Sequence, residues 1–328
     1  MTKGLVTLIG GSGFIGRYAA RELVKAGWQV RVACRRPGLA GDVRLAGSPG
    51  WVDVVQANVR NRASIARALE GADAVVNLVG IMHEGGRQSF EASQAQGSKN
   101  VAELAAEAGI TRFVQVSAIG ADAGSKAEYA RTKAEAEDAV RAAIPSAVIV
   151  RPSIVFGPED KFFNRFASMT RYSLALPAIG GGKTKLQPVY AGDVAKAISA
   201  AVDREDTAGK TYELGGPGTY SFNELYDFIL DTVGRRRLKA PLPFFIAKPM
   251  GLMFGATFRY IPPIRWIFGG PPLTGGQVEL LKTDNVVSEG ALGIADLGIT
   301  NPESIEAVVP TYLWRHRPYG EFSEPGKA

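Results

Sequence analysis

A strand, a glycine-rich turn and a helix follow one another at the start of this chain, and few folds accommodate that succession. Residues 5–9 are apolar and predict a strand, and Gly10-Gly11-Ser12-Gly13-Phe14-Ile15-Gly16 comes directly after them. Glycines at positions 10, 13 and 16 allow a tight turn and let backbone N–H groups approach a pyrophosphate, which the positive end of a helix dipole attracts. Because the strand and helix context is present, the segment predicts dinucleotide binding. A purely structural glycine turn is the alternative.

Short apolar runs alternate with helical segments throughout the first half of the chain. Strands are predicted at 5–9, 30–34, 74–79, 113–116 and 148–150, and helices at 14–26 and 100–108, each helix ending at a glycine. Nearly continuous apolar strands are typical of a parallel sheet that is covered on both faces. The fold class is therefore α/β: a Rossmann-type, doubly wound parallel sheet with a smaller C-terminal mixed α/β region.

The domain boundaries follow from where this alternation stops. We assign residues 1–158 to a dinucleotide-binding domain and expect residues 186–216, which contain one more helix and strand, to return to its sheet. The smaller region then comprises 159–185 and 217–328. Ser221 with Glu224 forms a capping-box pattern that predicts a helix through Val233.

The charge of the chain is concentrated in one stretch. The 328 residues carry 38 Lys and Arg against 32 Asp and Glu, but residues 232–278 hold seven of the basic residues and none of the acidic ones. The rest of the chain is nearly neutral, so we expect no general nucleic-acid-binding surface. The single cysteine, Cys34, cannot form an intramolecular disulfide. Nothing in the sequence therefore argues for an oxidising compartment, and the cytosolic side is expected.

No metal site and no transmembrane span are predicted. His83 and His316 are far apart in the sequence and lack cysteine partners. A span needs about 18 apolar residues without charges, and the longest uncharged run in the basic stretch is broken by glycine and proline.

Arg35 and Arg36 follow the second predicted strand, where an NAD-binding protein would place an acidic residue to accept hydrogen bonds from the adenosine ribose. Guanidinium groups cannot accept those bonds, but they suit a 2′-phosphate through charge-assisted contacts. The pair therefore favours NADPH over NADH. Two arginines that simply end a strand in solvent are the alternative.

Tyr129 and Lys133 lie four residues apart on a predicted helix, for which Ser125 and Glu128 suggest a capping box, and Ser117 ends the strand before it. With the glycine turn, this pattern resembles the extended or atypical short-chain dehydrogenase/reductase superfamily over roughly residues 4–216. In that family tyrosine is the general acid/base, lysine binds the nicotinamide ribose and serine polarises the substrate oxygen.

The sequence departs from this family at the serine, because Ser117 is followed by alanine and isoleucine rather than by further hydroxyl residues. An intact triad of Ser117, Tyr129 and Lys133 and a site without efficient turnover both stay open. We favour the second, with Tyr129 and Lys133 as ribose ligands.

Four further segments are more specific: residues 76–80, 156–162, 187–194 and 315–319. They are similar to the dinucleotide-binding accessory subunits of respiratory complex I, which hold NADPH as a structural cofactor. The resemblance implies other complex I subunits as partners and a peripheral position on the cytoplasmic face of the inner (cell) membrane.

The resemblance also implies a set of cofactor contacts. The glycine turn would bind the pyrophosphate, Arg35 and Arg36 the 2′-phosphate, Asn58 and Val59 the adenine side, residues 78–80 the ribose and diphosphate, and Pro152 and Ser153 the nicotinamide side. The full set is Gly10, Ser12, Gly13, Phe14, Ile15, Gly16, Arg35, Arg36, Asn58, Val59, Leu78, Val79, Gly80, Ser117, Tyr129, Lys133, Pro152 and Ser153.

Aromatic and apolar residues alternate with Lys and Arg along residues 232–278, a pattern suited to an anionic lipid surface. Packing inside the chain's own C-terminal region and docking into a groove of a larger assembly are the alternatives. Three functions are consistent with these features. They are an NADPH-binding accessory subunit of complex I, an NADP-dependent reductase or epimerase on an isoprenoid, quinone-like, steroid-like or nucleotide-sugar substrate, and an NADP(H) redox sensor.

Overall fold

The computed structural model describes residues 2–86, 88–260, 271 and 273–322. Contacts within the chain divide it into two compact units. The first comprises Met1–Pro152, Ala191–Leu214 and Ser288–Thr300, and the second comprises Ser153–Tyr190, Gly215–Val287 and Asn301–Ala328. The first segment of the first unit thus ends at Pro152 rather than at residue 158, and the segment 288–300 has no counterpart in the predicted boundaries.

The strands are, in chain order, β1 (Leu5–Ile9), β2 (Gln29–Cys34), β3 (Val52–Gln56), β4 (Ala74–Asn77), β5 (Arg112–Val116), β6 (Val148–Pro152), β7 (Val155–Phe156), β8 (Ala175–Ile179), β9 (Lys185–Leu186), β10 (Val189–Tyr190), β11 (Thr211–Leu214), β12 (Tyr220–Ser221) and β13 (Leu238–Leu242). The α-helices are α1 (Phe14–Lys25), α2 (Arg62–Leu69), α3 (Gln96–Glu107), α4 (Glu128–Ala143), α5 (Phe163–Met169), α6 (Ala191–Asp203), α7 (Phe222–Val233), α8 (Phe244–Tyr260), α9 (Gly275–Leu280), α10 (Ile305–Val308) and α11 (Pro310–Leu313). A π-helical turn, Glu91–Ala95, leads into α3.

A seven-stranded parallel sheet forms the first unit, in the order β11-β6-β5-β4-β1-β2-β3. Strand β1 lies between β2 and β4, with Val6 opposite both Val30 and Ala74. The strand order reverses at β1 and β4, and in such sheets a ligand binds outside the carboxyl ends of the strands at this reversal. The predicted fold class is confirmed.

The apolar character of the strands explains why the sheet is covered on both faces. Val6, Leu8, Val75 and Val76 have no exposed surface, because helices cover both sides of β1 and β4. The indole N–H of Trp28, the residue before β2, donates to Asp203 at 2.8 Å and so connects the start of β2 to the end of α6. The expected return of residues 186–216 to the sheet requires strand β11 and helix α6 in the first unit, and both belong to it.

The second unit has its own core, in which aromatic side chains of α5, α7 and α11 pack with aliphatic ones. Phe163, Tyr226 and Tyr312 are among its buried residues, and Phe222 and Tyr226 form an edge-to-face pair with centroids 4.9 Å apart. The predicted capping box is confirmed: the Ser221 hydroxyl accepts the Glu224 N–H, and the Glu224 carboxylate accepts the Ser221 N–H. This start sets α7 against α5.

The capping box predicted for α4 is wrong. The residue before the helix is Ala127, which offers no side-chain cap, and the Ser125 hydroxyl instead accepts the N–H of Ala127 at 3.2 Å. The Ser-x-x-Glu pattern therefore begins two residues too early, and a local turn uses the serine oxygen.

The basic stretch 232–278 contains β13, α8 and most of α9, while its residues 261–270 and 272 lie outside the described residues. Ala247 and Val278 are buried with Ile179 in a small cluster. Leu238, Phe245, Leu252 and Met253 are exposed. Part of the stretch therefore packs inside the chain's own second unit, and another part lies at the surface. Among the described helices, none is long and apolar enough to cross a bilayer.

Candidate functional site

The glycine turn has the conformation and the packing that the sequence pattern predicts. Gly10 has φ 82°, a left-handed conformation that favours glycine, and its N–H donates to the Ala33 carbonyl at 2.8 Å. A Cβ atom at Gly16 would lie 2.4 Å from the carbonyl oxygen of Gly11, so the first turn of α1 packs directly on the loop. A Cβ atom at Gly11 would lie 2.7 Å from that of Leu8. Side chains at 11 and 16 would therefore push the helix away from the strand.

Helix α1 begins at Phe14 with Gly13 as its N-cap, and neither a capping side chain nor an acidic residue occupies its first turn. The Arg17 N–H donates to the Gly13 carbonyl at 3.1 Å. Helix geometry leaves the N–H groups of Phe14, Ile15 and Gly16 without an intrahelical acceptor. These donors and the helix dipole together make a site suited to an anion.

Arg35 and Arg36 are exposed at the end of β2, and neither has an acidic partner among the described residues. Arg17 on α1 lies at the same edge of the sheet, and its Nε atom is 3.0 Å from a carboxylate oxygen of Asp42. The Nε–H bond is not aligned for a hydrogen bond to that oxygen. Arg17 is a cation that the sequence pattern did not single out; its position directly after the last glycine was the available signal.

Asn58 and Val59 follow β3, at the same edge. The Asn58 side-chain oxygen accepts the Arg60 N–H at 3.1 Å, and the Val59 carbonyl accepts the Asn100 amide at 2.9 Å. Both residues are therefore held in place by the turn and by α3. Their proximity to adenine stays a prediction.

A buried polar network holds the end of β4. Asn77 is fully buried, and its amide donates to Ser98 at 3.0 Å and to Gln115 at 2.9 Å, while its side-chain oxygen accepts the Val79 N–H at 3.2 Å. A Cβ atom at Gly10 would lie 3.1 Å from a methyl group of Val79. The network thus fixes residues 78–80 beside the glycine turn. Ser98 and Gln115 were not predicted, because polar residues at these spacings have no motif.

Lys133 is buried and donates from its ammonium group to the Val116 carbonyl at 3.1 Å. The same ammonium lies 3.4 Å from where a Cβ atom of Gly80 would be, so α4 meets the end of β4 here. Burial lowers the pKa of Lys133 to about 8, although the nearby Glu137 carboxylate acts in the opposite direction. Ser117 follows Val116, and its buried hydroxyl has no hydrogen-bond partner among the described residues.

Tyr129 lies one turn before Lys133 on α4, half-buried, with its ring edge-to-face against Phe90 at 6.0 Å. Burial alone raises the pKa of its hydroxyl to about 12. The Lys133 ammonium, whose positive charge would lower that pKa if it lay beside the hydroxyl, is directed at a backbone carbonyl instead. The structure therefore brings Lys133, Ser117 and Gly80 together. The pKa of Tyr129 is not lowered by a neighbouring cation.

Pro152 and Ser153 are separated by the division between the units. Pro152 ends β6 in the first unit, where its carbonyl accepts the Ile119 N–H at 3.1 Å. Ser153 belongs to the second unit, and its hydroxyl lies 2.7 Å from the side-chain oxygen of Asn285. Within the described ranges, no three His, Cys, Asp or Glu side chains come close enough to hold a metal ion.

Comparison with known proteins agrees with this architecture. Residues 6–215 match the model of the NAD dependent epimerase/dehydratase family. A nucleoside-diphosphate-sugar epimerase of Staphylococcus aureus has a similar structure, with a TM-score of 0.69 over 94% of this chain and 99% of that one at 17% identity. At that identity the likeness shows the fold alone.

Several relatives match almost the whole chain. The mitochondrial NADH dehydrogenase [ubiquinone] 1 alpha subcomplex subunit 9 of Arabidopsis thaliana is 36% identical over 322 residues, which is 96% of this chain and 79% of the relative. The protein of the same name from Rattus norvegicus is 34% identical over 317 residues, or 96% and 81%. A ceramide reductase of Caulobacter vibrioides is 35% identical over 162 residues, 48% of each chain.

The matched region contains the parallel sheet, the glycine turn and the helix with Tyr129 and Lys133. The chain belongs to the NAD dependent epimerase/dehydratase family, in agreement with the predicted membership of the extended short-chain dehydrogenase/reductases.

Proposed function

We propose that this protein binds NADPH in its first unit and acts as a structural accessory subunit of respiratory complex I, peripheral at the cytoplasmic face of the cell membrane. The observation that supports it most is the 36% and 34% identity, each over 96% of the chain, to proteins named as subunits of a ubiquinone-linked NADH dehydrogenase. Identity at this level across the whole chain includes the C-terminal region, which a shared dinucleotide fold does not require.

Two anion-binding features support the cofactor. The start of α1 offers backbone N–H groups without a competing carboxylate, which suits a pyrophosphate. Arg35 and Arg36 supply exposed guanidinium groups after β2, which suit a 2′-phosphate.

Unsatisfied polar groups support a ribose beside Lys133. Its ammonium has three N–H donors and one described acceptor, the Val116 carbonyl, and the adjacent Ser117 hydroxyl is buried without a partner among the described residues. Buried polar atoms are normally hydrogen-bonded, so these groups suit a ligand that can both donate and accept hydrogen bonds. Ribose hydroxyls, which both donate and accept, would satisfy Lys133 and Ser117 together.

The state of Tyr129 supports a structural rather than a turnover role. A general acid or base works best when its pKa is near the working pH, whereas that of Tyr129 is raised to about 12. The single serine at 117 is followed by Ala118 and Ile119, which carry no hydroxyl. We therefore assign Tyr129 and Lys133 to cofactor binding.

Cofactor titration tests the NADPH assignment. We expect NADPH to bind at least tenfold more tightly than NADH, and Arg35→Gln with Arg36→Gln to abolish that difference while leaving NADH affinity unchanged. Arg44→Gln with Arg67→Gln removes the same charge from exposed sites of the same unit and serves as the control. Equal affinity of the unaltered protein for both cofactors would contradict the assignment.

Extraction of membranes with mild detergent tests the assembly. We expect the protein to migrate with NADH:quinone oxidoreductase activity, and the Arg35→Gln, Arg36→Gln variant to be depleted from that fraction. Tyr129→Phe should leave quinone reduction intact. A protein found wholly in a free soluble pool would refute the accessory role.

An NADP-dependent reductase acting on a lipid-like carbonyl is the second candidate. It is favoured by the presence of Ser117, Tyr129 and Lys133 in one unit and by the partial match to a ceramide reductase. Purified protein would then oxidise NADPH in the presence of a ketone, and Tyr129→Phe would abolish the reaction. Absence of oxidation with long-chain ketones leaves the first candidate.

We also propose that the stretch 232–278 meets anionic lipid. Phe245, Leu252 and Met253 are exposed, and the last two lie seven and eight residues after Phe245, which places all three on one face of α8. Cations accompany them without acidic residues in the stretch. This combination is typical of segments that lie in a membrane surface.

A further inference from the structure

Three segments that are distant in sequence bring arginines together in the second unit. Arg235, Arg236 and Arg237 line an open pocket of about 420 Å³ with Gly234 and Pro318. This volume lies within the range of roughly 300–1,000 Å³ that is usual for small-molecule sites. The pocket is separate from the dinucleotide site, which belongs to the first unit.

The end of α7 positions this cluster. Gly234 has φ 63° and caps the helix in a left-handed conformation, and the Arg235 N–H donates back to the Leu230 carbonyl at 3.0 Å. The chain then leaves the helix so that consecutive arginines contact different neighbours. Arg237 donates from Nε to the Thr170 carbonyl at 2.9 Å, and Arg235 donates from Nε to the His316 carbonyl at 3.3 Å.

Arg235 is held through one guanidinium nitrogen and Arg237 through two, since a terminal nitrogen of Arg237 also donates to the Arg236 carbonyl at 2.7 Å. These anchors bring further cations close. Burial, followed by the charges of Arg237 and Arg171, lowers the pKa of Arg235. Burial and then Arg315, Arg171 and Arg235 lower the pKa of His316. Each group is thus near several others of the same sign.

No carboxylate neutralises the cluster within the part of the chain that the structure describes. None of Arg171, Arg235, Arg236 and Arg237 forms an ion pair there. Asp227 on α7 forms its ion pair with Lys239, at 2.7 Å. Like charges held together without a counter-charge are unfavourable, and a bound anion would relieve the repulsion.

We propose that Arg171, Arg235, Arg236 and Arg237 form a binding site for a phosphoryl group. A guanidinium fork matches two phosphate oxygens, and four such groups offer more donors than a carboxylate could use. The site needs neither the cofactor nor the complex I assembly.

The surroundings of the pocket distinguish two sources of that phosphoryl group. Tyr172, Leu174 and Leu238 are 84%, 81% and 75% exposed. Leu238 donates its N–H to the Leu174 carbonyl at 3.1 Å, and Arg171 lies over the Tyr172 ring at 5.8 Å, so these apolar side chains border the arginines. A phospholipid would cover them with its acyl region, whereas a free phosphate would leave them exposed.

The experiment uses the full-length protein and two probes. Inorganic phosphate binding is measured by calorimetry, and vesicle binding by co-sedimentation with phosphatidylcholine vesicles with and without phosphatidylglycerol. We expect Arg235→Gln with Arg237→Gln to weaken binding of at least one probe tenfold or more. Arg44→Gln with Arg67→Gln, which changes net charge equally, should weaken it less than twofold.

The Arg236→Gln variant tests the site without the risk of misfolding. Its exposed side chain lines the pocket and makes no described contact that supports the fold. It should weaken the same probe severalfold while its thermal unfolding midpoint matches that of the unaltered protein. Loss restricted to anionic vesicles identifies a lipid, and loss of inorganic phosphate identifies a free phosphate. If neither probe binds, or if the control pair weakens binding as much as Arg235→Gln with Arg237→Gln does, the site does not exist.

Discussion

Replacing Lys133 with methionine is expected to stabilise the cofactor-free protein at neutral pH while weakening its cofactor complex. The ammonium is buried, and its pKa falls from the ordinary 10.5 to about 8. A buried cation without a carboxylate partner costs free energy unless a ligand accepts its hydrogen bonds. Lys133 would thus lower the stability of the free protein for the sake of the ribose contact, a trade-off common at binding sites.

The magnitude follows from the pKa. At about 1.4 kcal/mol for each pKa unit, the lowered value corresponds to about 3 kcal/mol of lost stability wherever the folded and unfolded states are both protonated, that is, below pH 8. Between pH 8 and 10.5 the unfolded state holds more protons than the folded state, so stability rises with pH and the cost disappears. Methionine loses the bond to Val116, but the Gln115 side chain still donates to that carbonyl at 3.2 Å. Subtracting about 1 kcal/mol for the lost bond leaves a gain of about 2 kcal/mol at pH 7.

Urea unfolding of the free protein and the Lys133→Met variant at pH 7, 8, 9 and 10 measures this difference. Other titrating groups are common to both proteins, so they cancel in the difference, which we expect to fall by about 2 to 3 kcal/mol over this range. Lys126→Met, at an exposed position of the same unit, should give a difference that does not change with pH. A constant difference for Lys133→Met would refute the reasoning, because the charge would then not be desolvated. The same variant should bind NADPH at least tenfold more weakly.

Three further outcomes follow from the structure. Arg151→Met should cost about 3–5 kcal/mol of unfolding free energy, because it leaves the buried Glu137 carboxylate, now held at 2.7 Å, without its main partner; adding Glu137→Met should restore much of it. Gly16→Ala should cost about 1–3 kcal/mol by displacing α1 from the glycine turn, and it should weaken cofactor binding in a titration. Leu252→Ser with Met253→Ser should reduce co-sedimentation with anionic vesicles at least fivefold, since each exposed side chain buries apolar area worth about 1–2 kcal/mol.

Two of these predictions have a matched control variant in the chain. Gly38→Ala adds a methyl group where no atom lies within 4 Å, and it should change neither stability nor affinity. Leu39→Ser with Leu45→Ser removes exposed leucines of the first unit and should leave vesicle binding unchanged. If the Arg151→Met variant is no more stable after Glu137→Met is added, the unpaired carboxylate is not the source of the loss.

The sequence predicted the glycine turn and the start of α1 because their determinants are local. Gly10, Gly13 and Gly16 are close in the chain, and their effect on the turn and on α1 depends on backbone conformation over a few residues. The strand and helix order follows from apolar periodicity in the same way. Local patterns fail where several residues compete for one role. Ser125 and Glu128 have the spacing of a capping box, yet the helix begins at Glu128 itself because a tighter turn uses the serine.

Only the tertiary structure decided what the buried charges contact. Lys133 was predicted at the ribose, but its bond to Val116 and its lowered pKa depend on how closely α4 packs on β5. Arg151 on β6 meets Glu137 on α4, and Asn77 on β4 meets Gln115 on β5; neither pair has a fixed spacing in the sequence. The strength of each interaction depends on its distance and on the surrounding exclusion of water, and both are set by elements that meet only when the chain is folded.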